Sequence, residues 1–174
     1  MASYPIDGWT PRADPLAGRR VEPESCRALI RTGGVAAPGA SIPKNTRAAR
    51  ATGALGPVVG GVEPIVQVEV IQVTGPTADQ YLDESQKAEP ECSDIRVTGG
   101  RASVLERELV GFGERSRYII RTYPVAGKAW NERILLYRTP RYSVGIRLYG
   151  PATPEEGFVA FAREVRDKTS AKLG

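Results

Sequence analysis

Histidine is missing from this chain of 174 residues. Imidazole is the one side chain whose unperturbed pKa lies near neutrality, and it is the commonest general base and metal ligand. Its absence excludes most hydrolase and zinc-enzyme designs. A Ser–Lys pair or two carboxylates could act without it, but no such set stands out, and the chain reads as non-enzymatic. No apolar run reaches the roughly 18 residues that a membrane-spanning helix needs. The opening Met1-Ala2-Ser3-Tyr4-Pro5 lacks the basic and apolar regions of an export signal. The chain is therefore either cytoplasmic or a mature region whose signal or lipid anchor has been left behind. Cysteine occurs only twice, with no Cys-x-x-Cys and no Cys/His cluster. The expected cofactor and metal content is none.

What is present is ordinary for one globular domain: 41% hydrophobic and 25% charged residues, with 19 glycines and 14 prolines as the unusual counts. The net charge of +4 is unevenly placed. Residues 1–57 hold eight Lys/Arg against four Asp/Glu, and the rest of the chain is balanced. Lys44, Arg47 and Arg50 lie in a Gly/Ala/Pro-rich stretch and are candidate contacts for an anionic partner, with a solvated flexible segment as the plainer reading. A nucleic-acid module would carry its basic excess on a folded face, which argues against nucleic acid.

The two cysteines have similar approaches, Glu22-Pro23-Glu24-Ser25-Cys26 and Glu89-Pro90-Glu91-Cys92. One disulfide is their simplest use. Closing a loop of roughly 66 residues is worth about 4 kcal/mol in the chain-entropy model, and the bond persists only in an oxidising compartment. The alternative is two unrelated buried thiols in a cytosolic protein.

Residues 1–20 read as an extended arm broken by prolines and anchored by Trp9. The single domain would then run over 21–174, with a long Gly/Ala/Pro-rich loop at about 33–64. Pro23 to Ile30 predicts a short helix, and Thr77 with Gln80 predicts the start of another that ends near Ala88. Alternation predicts strands at Ile65–Thr74, Ile95–Val97, Ser103–Val110, Arg117–Tyr123, Arg133–Arg138 and Arg141–Tyr149. In the last of these Val144, Ile146 and Leu148 oppose Ser143, Gly145, Arg147 and Tyr149, which predicts cover on one face only. Thr153-Pro154-Glu155-Glu156 has the order of a capped helix start. Phe158, Phe161, Ala162 and Val165 follow at amphipathic spacing. The fold class expected is α+β: an antiparallel meander of about five to six strands packed by two to three helices, the C-terminal helix included.

Basic and aromatic residues interleave along the expected sheet. Arg117, Arg121, Tyr123, Arg133, Tyr137, Arg147 and Tyr149 form a candidate ligand or partner surface. Against this stands a sheet face whose arginines cover apolar area and pair with acids across strands. Asp79, Asp83 and Glu84 lack a calcium-loop pattern, and Gly53 to Gly61 lacks the context of a phosphate cradle.

The opening Ile6-Asp7-Gly8-Trp9, the two cysteine contexts, the passage from Val66 to Leu82 and the strands that follow resemble actinobacterial extracytoplasmic lipoproteins. They are similar in particular to the sensor-type domains carried outside the membrane by some mycobacterial Ser/Thr kinases. The final strands and the Phe158 helix also resemble lipoproteins of the photosystem-accessory type. The likeness implies export, an antiparallel sheet under helices, a cleft for a ligand or envelope protein, and no catalytic residues. The kinase-linked domains generally hold two disulfides, whereas this chain can make one, between Cys26 and Cys92. The expected location is extracytoplasmic, membrane-tethered or secreted. The alternative is a cytoplasmic interaction domain that binds anionic polymers through its basic N-terminal region.

Overall fold

A computed structural model of the chain describes residues 17–27, 47–72, 82, 90–125, 127–151 and 153–174. Eight strands form one antiparallel sheet: β1 (Val21–Glu22), β2 (Ala48–Ala54), β3 (Ile65–Ile71), β4 (Ile95–Val97), β5 (Gly100–Arg107), β6 (Arg115–Val125), β7 (Lys128–Arg138) and β8 (Ser143–Gly150). Their spatial order is β1-β4-β5-β6-β7-β8-β3-β2. One helix, α1 (Glu155–Leu173), follows β8, and 3-10 turns at Glu24–Cys26 and Pro90–Ser93 carry the cysteines.

The expectation of five to six strands packed by two to three helices is corrected on both counts. The sheet has eight strands, and α1 is the one regular α-helix among the described residues. The additional strands have physical reasons for escaping notice. β1 is two residues long. β2 reads Ala-Ala-Arg-Ala-Thr-Gly-Ala, almost free of the β-branched and aromatic residues that mark strands. Its extended form comes from seven consecutive pairs with β3, Ala48 to Ile71 through Ala54 to Ile65. The region read as a loop therefore holds a strand in its described part. Near Cys26 the chain makes a 3-10 turn closed by the Cys26 amide on the Pro23 carbonyl at 3.2 Å, Arg27 beyond it is helical, and the rest of the helix expected to Ile30 lies outside the described residues. Of the helix expected over 77–88 only Leu82 is described, and it is buried. Trp9 and most of the N-terminal arm lie outside the described residues.

β4 to β8 run as a meander because each tight turn returns the chain beside the strand it has just left. The β5–β6 loop passes so close to the end of β7 that a Cβ on Gly113, whose φ is +64°, would lie 2.0 Å from the Arg138 carbonyl oxygen. Only glycine fits. β3 then pairs with the outer side of β8 over seven residues, Ile65 to Tyr149 through Ile71 to Ser143. This makes β8 an interior strand. Its polar side is buried along with its apolar side, so the expected one-sided cover is also corrected.

Two apolar clusters lie on opposite faces of the sheet. On one face Phe158 and Ala162 of α1 pack on Tyr118, Leu135, Tyr137, Val144, Ile146 and Leu148. The Phe158 ring stacks on Tyr118 at 5.7 Å and 18°. Thr153 does not cap the helix by its side chain, and Pro154 occupies the N-cap position. The end is held by cations instead. Arg133 donates to the Thr153 carbonyl and at 2.8 Å to the Tyr118 hydroxyl, and Arg107 and Arg133 both meet Glu155. At the far end Arg141 donates to the carbonyls of Leu173 and Gly174, a cation against the negative end of the helix dipole.

On the other face Val21, Cys26, Leu82, Cys92, Ile95, Val97, Val104, Ile119, Ile134 and Leu136 form the second cluster. Cys26 and Cys92 are joined in a disulfide with Cα atoms 5.5 Å apart and 66 residues between them in sequence. Beside it the Ser25 hydroxyl donates to the Glu91 carboxylate at 2.6 Å. The bond ties the short β1 and its turn to the start of the meander, adding a covalent link to two residue pairs with β4 and a few hydrogen bonds. Reducing it, or replacing both cysteines by serine, should lower unfolding free energy by about 4 kcal/mol. Denaturant midpoints measured with and without reductant check this; equal midpoints would show that the link restrains nothing.

Candidate functional site

The face opposite α1 carries a band of polar groups beside its apolar cluster. Strand alternation places Arg117, Arg121 and Tyr123 of β6, Glu132 of β7, Arg147 and Tyr149 of β8, Glu69 of β3 and Arg50 of β2 on this side. Register then does the grouping: Arg121 lies directly across from Glu132, and Glu132 directly across from Tyr149. Arg147 is two residues along β8 from Tyr149, within reach of the same carboxylate.

Glu132 is the centre of this band. One of its oxygens accepts from Arg147 Nη2 at 2.5 Å and from the Tyr123 hydroxyl at 2.7 Å, and the other lies 3.5 Å from Arg121 Nη1. Glu132 and Arg147 are each 2% exposed and Arg121 5%. Arg147 also places its guanidinium 5.2 Å from the centre of the Tyr149 ring. Further across the sheet Glu69, 1% exposed, accepts from Arg50 Nε at 2.5 Å.

Burial alone would push the Glu132 pKa up. The adjoining Arg147 and Arg121 charges, with the Tyr123 hydrogen bond, outweigh it and hold the carboxyl below its ordinary 4.5. Burial acts in the opposite sense on Arg121, pulling its pKa down against the attraction of Glu132. Arginine starts so high that it remains a cation at neutral pH. The group is thus a fixed ionic lattice. A carboxylate pinned between two guanidiniums is a poor proton donor or acceptor near neutrality.

The candidate residues separate by face. Arg121, Tyr123, Arg147 and Tyr149 come together around Glu132. Arg117 shares their face but is held by Glu106 through two bonds of 2.6 and 2.8 Å and donates to the Leu82 carbonyl at 2.6 Å. Arg133 and Tyr137 lie on the α1 face, one locking the helix start and the other in the apolar core. Arg50 is turned into the sheet at Glu69. Arg47 is exposed, its carbonyl accepting from Gln72 at 2.8 Å, and Lys44 lies outside the described residues. The two carboxylates at the heart of the band, Glu132 and Glu69, were not among the candidates. Glu69 is an acid in a largely apolar strand, Val-Gln-Val-Glu-Val-Ile, and that misfit was an available signal, whereas Glu132 sits in the polar run Asn-Glu-Arg and carried none.

Among the described residues one cluster has metal-type ligands, Cys26 with Glu91 and Cys92. Its two sulfurs are bonded to each other and so are not thiolates that could bind an ion. No described helix is long and apolar enough to cross a membrane. Comparison with protein-family models, with curated proteins and with solved structures finds no match to this chain.

Removing Glu132 leaves two buried guanidiniums without their shared counter-charge, so Glu132→Ala should cost about 3–5 kcal/mol in chemical unfolding. The same carboxylate gives an acid limb to stability. Its folded pKa lies below the unfolded one, so its contribution is present above about pH 4.5 and is lost as pH falls through the folded value. In Glu132→Gln that limb should flatten; an unchanged pH profile would place the acid sensitivity elsewhere. By contrast the buried Tyr137 hydroxyl has no hydrogen-bond partner among the described residues. Tyr137→Phe should be neutral or stabilising by up to about 1 kcal/mol in thermal melts.

Proposed function

We propose that this protein is a non-enzymatic binding or sensory domain that works outside the cytoplasm, tethered to the membrane or secreted at the cell envelope. The observation that carries the location is the disulfide between Cys26 and Cys92. A covalent link of this kind, buried and tying the N-terminal turn to the sheet, belongs to an oxidising compartment. The similarity of the cysteine contexts and flanking strands to actinobacterial extracytoplasmic lipoproteins and kinase-linked sensor domains supports the same reading.

The binding role rests on the band around Glu132. Burying Arg121, Glu132 and Arg147 together is costly, and an apolar row of similar volume would hold the sheet as well or better. Local rules of core composition are broken most often where function requires it. We therefore assign ligand recognition to the side of the sheet that carries this band, with half-buried Tyr149 its accessible member and buried Arg121, Tyr123, Glu132 and Arg147 fixing the strands behind it, the unknown ligand being an envelope component or partner protein.

The test is the state and place of the cysteines in the native host. Thiol-reactive labelling of unreduced, denatured protein should find no free thiol, and fractionation should place the protein in the envelope or the culture fluid. Two labelled thiols in a cytosolic pool would overturn the proposal and favour a cytoplasmic interaction domain.

A further inference from the structure

The two edges of the sheet are treated differently. β1, at one end, is two residues long, flanked by the Arg20–Glu22 ion pair at 2.6 Å and by Pro23, and tethered through the nearby disulfide. These are the devices by which proteins stop a sheet edge from accepting another strand: shortness, charge and proline. At the other end β2 is neither short nor broken by proline, and its single charge, Arg50, is taken up by Glu69 of the neighbouring strand. It is seven residues long and paired with β3 without a bulge. Nothing among the described strands pairs with its outer side, and Ala51, Thr52, Gly53 and Ala54 are all exposed.

We infer that β2 is a strand-addition edge whose occupant is β2 of a second copy, paired antiparallel across a two-fold axis at Thr52. The sequence is complementary to itself in that arrangement. Thr52 meets Thr52 of the other copy, a favourable cross-strand pair, Ala51 meets Gly53, and Arg50 meets Ala54. No like charges face each other. The two Arg50 residues are four positions apart along the paired strands, roughly 13 Å at a strand rise of 3.3 Å per residue, and each is neutralised by its own Glu69. The small side chains bring no steric conflict, and the pairing is isologous, so it closes at two copies instead of growing into a filament. Such a contact buries less than the roughly 1,200 Å² of a standard stable interface. The dimer therefore forms and separates with concentration.

Charge placed at the two-fold axis tests this without disturbing the monomer, because Thr52 is exposed. In sedimentation velocity over a dilution series the natural chain should shift from monomer to dimer. Thr52→Lys and Thr52→Glu should each weaken self-association, by roughly fivefold for like charges directly opposite. An equimolar mixture of the two variants should recover it, which a folding defect could not do. Val110→Lys, at a side chain 91% exposed and far from this edge in the sheet, should associate like the natural chain. A natural chain that stays monomeric at millimolar concentration, or a Thr52→Lys chain that dimerises as well as it, would overturn the inference.

Discussion

The seven-residue pairing of β3 with β8 converts what would be the last strand of a meander into the interior of a wider sheet, and most of the remaining structure answers to that contact. An edge strand can keep one face in water. An interior strand flanked by long neighbours on both sides, with α1 over one face, has far less opportunity to do so. Ser143, Gly145 and Arg147 are consequently as buried as Val144, Ile146 and Leu148. A guanidinium carried into that position needs a counter-charge, and the register supplies Glu132 from the adjacent strand with Arg121 and Tyr123 beyond it. The ionic band and the topology are one fact seen at two scales.

The two faces meet the same demand for cover by different means. On the α1 side cover is a continuous amphipathic helix, and its polar fastenings are peripheral: Arg107 and Arg133 at its start, Arg141 at its end, Arg166 on the Gly111 carbonyl at 2.7 Å. These cations lie near water, where each is worth little alone. On the opposite side the described cover is a set of short pieces, including the two cysteine turns and Leu82, held to the sheet by the disulfide and by Arg117 bonded to the Leu82 carbonyl. Short pieces bury little area each, so a covalent link carries more of the stability there than a helix would need. The dependence on an oxidising compartment follows from this asymmetry.

The ionic band was half visible in the sequence. The interleaving of arginine and tyrosine in β6 to β8 marked strands that carry the band, since alternation is a local property of the chain. It could not show that Arg133 and Tyr137 belong to the helix-covered face while Arg121 and Tyr123 belong to the other, because which parity faces α1 depends on where the helix lands. The balancing acids Glu132 and Glu69 were hidden for a related reason. Their partners are 15 and 19 residues away in sequence, and only cross-strand register brings the charges within 2.5 Å.

Local chemistry along the chain was enough to specify the meander turns, the start of α1 beside Thr153-Pro154-Glu155-Glu156, the apolar stripe through Phe158 and Ala162, and the pair of cysteines available to each other. Each rests on residues within a few positions of one another, or on there being just two thiols. Three-dimensional assembly alone settled that Ala48–Ala54 is a strand, that β8 is enclosed on both faces, and that its arginine is buried against a carboxylate. These depend on hydrogen-bond ladders and ion pairs between distant segments. Their free energy comes from the neighbour that arrives, so it leaves no periodic trace in the segment that receives it.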